Sequence, residues 1–240
     1  MIGVSMSDLP RLSASKIKTF STCPKQYWYR YVNKDKTRHI SAAMGSAVHA
    51  SIDRTYKAKK ENQPVDPATF YTQSWYSELE KSDIPDDDKV YRDGLQIVNR
   101  YDWDRRTPLQ GEVEFILPFP DPHNPICELH GFIDQVYDWG LVDLKTNKRK
   151  PDLLLLNNDL QFIIYSWAYI QLYGEKPNHT FWHHLRTGDD LEADAFSVNK
   201  LDYVLRKIDN LIDSTFIWYD KNIGTACMWC SYKRTCLGEE

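Results

Sequence analysis

The chain has 240 residues, 42% hydrophobic and 27% charged, the balance of a soluble folded protein long enough to bury a core without a staple. A net charge of −4 excludes a globally basic nucleic-acid binder, so such contact would fall to local patches, Arg30 to Arg38 and Lys145 to Lys150, which a solvated surface explains equally well. No apolar run approaches the roughly 20 residues that span a bilayer and no secretory or transit pattern opens the chain, so no membrane partner is expected and the location is a cytoplasm, a host's if the protein is viral.

Residues 1–11 read as a loose start. Ser13 or Ser15 is placed to cap a helix that runs through Lys16 and stops at Pro24, since the residue before a proline is pushed out of the helical region. The aromatic run Gln26 to Val32 continues as helix against the core. A second helix opens near Ser41, with Gly45 and His49 four apart on one face. Glycine inside a helix costs about 1 kcal/mol relative to alanine, so Gly45 marks a close approach by a strand or a substrate backbone. Acidic, proline-containing linkers at 61–67 and 82–89 alternate with helices near 67–81 and 88–106, a helical insert at 61–107 ahead of a sheet.

Strands follow at 111–119, 126–138 and 140–145, the last two joined by a hairpin turn at Asp138-Trp139-Gly140. A helix over 158–173 closes on Gly174. Further strands are predicted near 178–186 and 191–197. A helix over 199–220 has one buried face built from Leu201, Val204, Leu205, Ile208, Leu211 and Ile212.

The hairpin carries the chemistry. Asp134 shares a strand face with Phe132, and Asp143 shares one with Lys145, because side chains alternate with a period of two. Buried charge without a partner is expensive. One solution is a divalent cation between the aspartates with Lys145 beside it, and Mg²⁺ or Mn²⁺ suits oxygen ligands. A plain ion pair between Asp134 and Lys145, with Asp143 at a turn, is the alternative. His49 offers an imidazole ligand or is simply a packed helix residue. Glu112 and Glu114 are further metal or water contacts, or an exposed strand face. Gln161 and Tyr165, four apart, touch a phosphate or base, or cap a core edge.

Five cysteines without a leader speak against a disulfide framework and for metal or redox chemistry. Cys227, Cys230 and Cys236 offer three thiolates in ten residues, and Cys23 is the candidate fourth ligand for zinc or an iron–sulfur cluster. Cys127, on a strand, reads as a buried hydrophobe. The 8 Trp and 15 Tyr serve a core or a surface on which bases stack.

Taken in order, these residues resemble the RecB-like branch of the PD-(D/E)XK nuclease superfamily, and within it the iron–sulfur members: CRISPR-associated spacer-trimming nucleases, the AddB nuclease domain and phage exonucleases. The likeness rests on the entry segment Ser13 to Tyr27, Gly45 with His49, Gly131 to Asp134, Asp143 with Lys145, Gln161 with Tyr165, and Cys23 with Cys227, Cys230 and Cys236. The resemblance implies an α/β fold, a central mixed β-sheet flanked by helices (a restriction-endonuclease-like core), with an N-terminal helical region and a C-terminal cysteine cluster. It implies a single nuclease domain over 1–240 whose ends are joined by an iron–sulfur staple at 23 and 227–236. His49, Asp134, Asp143 and the Leu144 carbonyl would bind Mg²⁺ or Mn²⁺, Lys145 would position or activate water, and Gln161 and Tyr165 would orient DNA or support Lys145. A [4Fe–4S] cluster is favoured over zinc. The implied activity is a single-stranded DNA exonuclease, with endonuclease activity as an addition, in phage recombination and repair or in CRISPR adaptation. A DNA-end binding or adaptor module with weak cutting, serving a recombinase, helicase or integrase, is the rival reading, and an oligomer is compatible with either.

Overall fold

The computed structural model describes residues 9–35, 37–105, 107–194, 196–214 and 219–238. Strand β1 (Arg11–Leu12) leads into α1 (Ala14–Thr22). Of the two candidate caps Ser13 serves, its side chain accepting from Lys16 N at 3.3 Å. Helix α1 stops because Cys23, ahead of Pro24, is extended (φ −159°). Pro24 then opens α2 (Pro24–Tyr27), which widens into a π-turn over Trp28–Val32. Helix α3 (Ile40–Lys60) is capped by His39, and α4 (Pro67–Ser82) and α5 (Asp88–Arg100) by Asp66 and Asp87. Helix α5 ends short of the expected 106, because Tyr101 turns extended (ψ 136°).

Strands β2 (Gln110–Phe119), β3 (Cys127–Tyr137) and β4 (Gly140–Lys145) follow the expected positions within a residue or two. Gly140 makes the turn possible: its φ is 148°, and a Cβ there would lie 2.0 Å from the His179 carbonyl oxygen. Then come α6 (Leu153–Asn157), α7 (Leu160–Tyr173, closed by Gly174 at φ 78°), β5 (His179–His184), β6 (Asp189–Glu192), α8 (Val198–Ser214), a 3₁₀ turn (Thr225–Trp229) and α9 (Lys233–Leu237). Two of these correct the reading of the chain. Strand β6 starts two residues before the expected 191–197, because the polar residues Asp189 and Asp190 pair across to His184 and His183, and it ends at Glu192, five residues short of the expected end. The expected end of the last helix falls partly on residues 215–218, outside the described residues, while Tyr219 and Asp220 are not helical.

The sheet is mixed. Strand β2 lies antiparallel along the whole of β3, and the other edge of β3 is shared by β1, parallel, and β4, antiparallel. Strand β5 runs parallel to β4, and β6 antiparallel to β5. Helices α1, α7 and α8 pack one face around Phe115, Leu129, Ile133 and Leu141. Helices α3, α4 and α5 pack the other around Tyr137, Val142 and Leu144. The α4–α5 stretch thus shares one core with α3 and the sheet. Ile133 and Tyr137 are four apart, which strict alternation would put on one face, yet they enter opposite cores. The phase of β3 therefore changes between them, at the stretch that begins with Asp134.

Candidate active site

The hairpin is closed at one end and open at the other. Its ladder pairs Tyr137 with Gly140, Val136 with Leu141 and Gln135 with Val142, then stops. The next pair in register would be Asp134 with Asp143. Instead Asp134 Oδ2 accepts the backbone N–H of Leu144 at 2.6 Å, so a carboxylate replaces a strand partner. Hydrogen bonds to a charged group contribute about 1.5–3 kcal/mol, enough to hold the strands apart. The opening turns Asp143 and Lys145 toward α7, where Gln161 stands at the helix start.

Those three side chains form one unit. Lys145 Nζ lies 2.6 Å from Asp143 Oδ2 and donates to Gln161 Oε1 at 3.0 Å, while Gln161 Nε2 donates to Asp143 Oδ1 at 2.9 Å. An amide accepts from the amine through its oxygen and donates to the carboxylate through its nitrogen at once. The N-terminus of α7 is itself capped by Asp159, which Lys18 of α1 clasps at 2.7 Å. Asp143 is fully buried. Burial pushes its carboxyl up to about 6, against the pull of Lys145. Burial also works against the Lys145 ammonium, but Asp143 and Asp134 outweigh it and raise its pKa.

A second group meets the first at Asp134. His49 Nδ1, on α3, lies 3.3 Å from Asp134 Oδ1. Glu112 of β2 completes a set with His49 and Asp134 whose ligand atoms all lie within 4.8 Å of one another. Burial would raise Asp134, yet His49, Lys145 and the Leu144 N–H bring it below the usual carboxylate range. Glu112 is pushed up to about 7 by burial and by Asp134. One imidazole nitrogen and two carboxylates fit a hard divalent cation of the Mg²⁺ or Mn²⁺ type. The excess of carboxylates over fixed cations here points the same way.

The reading of the chain placed His49, Asp134, Asp143, Lys145, Gln161 and Tyr165, and the structure brings all six together. A cleft of ≈ 940 Å³ is lined by His49, Asp134, Lys145, Gln161 and Tyr165, with Asp143 beneath it. Tyr165 packs edge-on against Phe115 at 5.8 Å, and burial and then Asp143 keep its phenol protonated. Leu144 reaches the group through its backbone, by the N–H to Asp134. Glu112 is the residue of which alternation left two readings open. It has a φ of 48°, a left-handed conformation that costs about 1–2 kcal/mol outside glycine. The ladder of β2 skips it between the pairs Gly111–Gln135 and Val113–Ile133. Asp53 was missed, although its place one turn beyond His49 puts it on the same helix face. Its Oδ1 is buried without a hydrogen-bond partner, and Lys57 holds the other oxygen at 2.7 Å.

The cysteines gather elsewhere. Cys23, Cys227, Cys230 and Cys236 line one small cavity. The chain ends are tied there by Asn222, whose side chain donates to the Thr22 carbonyl at 2.8 Å, and by Lys25 N donating to the Asp220 carbonyl at 3.1 Å. Burial, and then the neighbouring thiols, raise the pKa of Cys230. Among the described residues, no three of these thiols lie within 4.8 Å of one another. Cys127 is fully buried, as expected of a strand hydrophobe, and burial pushes its thiol up to about 12.

The sequence profile of the PD-(D/E)XK nuclease superfamily matches residues 11–237. The chain belongs to this superfamily. Membership points to a metal-dependent nuclease with nucleic acid as the implied substrate, and the match spans both the cleft and the cysteine cavity. No curated protein matches the chain. Among solved structures it is similar to the crystal structure of SSO0001, with 11% identity and a TM-score of 0.45 over 98% of this chain and 89% of that one.

Proposed function

We propose that this superfamily member is a single-stranded DNA exonuclease of the RecB-like iron–sulfur branch, acting in phage recombination and repair or in CRISPR adaptation beside a recombinase, helicase or integrase. The observation that carries the reading is the splayed hairpin, which sets the Asp143–Lys145–Gln161 unit against the His49–Glu112–Asp134 group. His49, Asp134 and Asp143, with the Leu144 carbonyl, would hold Mg²⁺ or Mn²⁺, and Glu112 adds a carboxylate from β2. A bound cation supplies charge at the scissile phosphate and acidifies a water. Lys145, with its raised pKa, remains protonated near neutral pH, so it serves as a hydrogen-bond donor and point charge rather than as a proton acceptor. Gln161 fixes the Lys145 amine by accepting from it, and Tyr165 closes the cleft behind them.

The cysteine cavity takes a [4Fe–4S] cluster in this reading. Zinc is the lesser alternative for the same four thiolates. The role is a clamp on the chain ends. Brown protein with thiolate-to-iron absorption supports it, and colourless protein carrying zinc rejects it.

The decisive experiment follows release of nucleotides from end-labelled single-stranded DNA with Mn²⁺, for the wild type, Asp143→Ala and Lys145→Ala. Loss of cutting in both variants is expected. Equal cutting by all three would remove the site assignment.

A further inference from the structure

A groove of ≈ 1500 Å³ runs beside the active-site cleft and has no part in the chemistry described above. Its walls come from the start of α3, the solvent side of α5, the loop after β4 and the cysteine segment. Ala42 lines both the groove and the cleft, so the two abut at the start of α3. From Ala42 to His49 the path along α3 is about 10 Å at 1.5 Å per residue. Between them Gly45 lets Thr146 approach to 3.1 Å of where a Cβ would stand, which brings the loop that follows Lys145 against α3. The neighbour is thus a loop side chain, where the sequence had suggested a strand or a substrate backbone.

Two properties of the groove point to its occupant. The first is charge. Five cationic side chains line it, against the single carboxylate of Asp93. Arg186 takes that carboxylate with two bonds of 2.6 Å, leaving Lys89, Arg100, Lys148 and Arg92, the last loosely paired with Asp88 at 3.9 Å, as a positive lining in a chain whose net charge is −4. The second is Trp229, which stands 84% exposed on the groove wall. It sits on the 3₁₀ turn between Cys227 and Cys230, braced by Cys227 N to the Gly224 carbonyl at 3.0 Å and Cys230 N to the Cys227 carbonyl at 3.3 Å. A large aromatic held out on a short, braced turn above cationic side chains is the arrangement that takes an unpaired base on its face and phosphates along its track.

We propose that this groove is the track of a single nucleic-acid strand entering the cleft, with a base stacked on Trp229 and its phosphates against Lys89, Arg92, Arg100 and Lys148. The inference rests on the nuclease reading for the identity of what enters, and it assigns Trp229 as a positioning residue outside the catalytic group. Every base has a π-face, so the contact is tolerant of sequence and selective for unpaired strands.

Binding of a short fluorescein-labelled oligothymidylate, by anisotropy in metal-free buffer, tests it on the full chain. Trp229→Ala should weaken single-strand binding about 10-fold or more, and Trp229→Phe should weaken it less. The affinity for a duplex should not depend on Trp229. Lys89→Glu with Lys148→Glu, on two separate elements, should weaken binding and lower the salt slope by about 1.4 for two lost phosphate contacts. Melting temperature and visible spectrum matched to wild type show that each variant is folded. Wild-type affinity in Trp229→Ala, or an equal loss on single and double strands, overturns the proposal. So does a change of molar mass in Trp229→Ala with nucleic-acid affinity intact, which would show the groove seating a second copy of the chain. Trp229-dependent binding without any cutting would leave the track standing and remove the nuclease reading. Cutting that is indifferent to Trp229 and to the lysine pair would do the reverse.

Discussion

The two ends of the β3–β4 hairpin bury polar groups in opposite ways. At the closed end Gln135 accepts from Tyr137 Oη at 3.1 Å and donates to Tyr101 Oη at 3.4 Å, and Tyr101 meets Tyr56 at 3.2 Å. These groups are neutral, and burial raises the pKa of each tyrosine, so they stay neutral; the charged Arg105, which also hydrogen-bonds to Tyr137, is balanced by Asp190 at 3.0 Å. At the open end Glu112, Asp134 and Asp143 face Lys145 and His49, with the Asp53–Lys57 pair beside Glu112. A neutral network is complete when every donor has an acceptor. A charged one must also balance, and three carboxylates against one ammonium do not. Burial, and then the neighbouring Asp134, pushes Glu112 and Asp143 up, so the metal-free protein balances by protonation; a divalent cation balances the same group without protons. One end of the hairpin is therefore structure, and the other is a site that structure alone leaves short of positive charge.

The sharpest break between the two ends is Lys145→Met, which keeps the stem and removes the ammonium. Cutting should fall about 10²- to 10³-fold, the usual cost of one electrostatic donor. The metal-free protein should lose about 3–5 kcal/mol, since Asp143 is left buried without its cation. Denaturant unfolding with and without Mn²⁺ measures this, and the added ion should restore part of the loss. Gln161→Glu is next. It keeps shape and the bond to Lys145 but aims a carboxylate at Asp143, so cutting should fall about 10²-fold, with Gln161→Ala less harmful to stability because it adds no like charge.

The pH response follows from the same imbalance. Glu112 and Asp143 titrate near 7 and 6 in the folded chain, above the ordinary carboxylate range near 4. Between about pH 4 and 7 the folded state holds protons that the unfolded state has released, so these two groups make the metal-free protein less stable as pH rises through that window. Protons and cation compete for the same oxygens. Mn²⁺ affinity by calorimetry should therefore rise from pH 5.5 to 7.5 with proton release, and Glu112→Gln should flatten the upper part of that rise. A pH-independent affinity would mean that Glu112 and Asp143 stay clear of the ion.

What the sequence made legible follows the physics of each signal. Asp143 and Lys145 share a face by the period of a strand, and Gly45 with His49 by that of a helix, so local periodicity was enough. The meeting of His49 with Asp134, eighty-five residues later, was implied by family likeness rather than by any local pattern. Glu112 stayed ambiguous because alternation assumes an unbroken ladder, and its left-handed φ breaks it. Strand β6 was misplaced because Asp189 and Asp190 look like a turn, while their backbones complete a sheet edge and Asp190 binds His183 at 2.7 Å. Strand β1 is two residues long, below the reach of any periodicity.

The smallest effect is expected at the closed end, and it decides whether the comparison is sound. Tyr137→Phe removes one hydroxyl, shared between Gln135 and Arg105, and no volume from the core. Gln135 loses one donor and keeps its bond to Tyr101, and Arg105 loses one partner and keeps Asp190, so the cost should be about 2 kcal/mol, the net value of two hydrogen bonds. Cutting rate and Mn²⁺ affinity should stay at wild-type values, although Tyr137 lies only three residues from Asp134 on the same strand. If Tyr137→Phe slows cutting as much as Gln161→Glu does, the two ends are mechanically one unit, and the closed ladder must be holding the splay at its working width. If it changes stability alone, proximity along β3 carries no influence, and the open end is governed by its own charges.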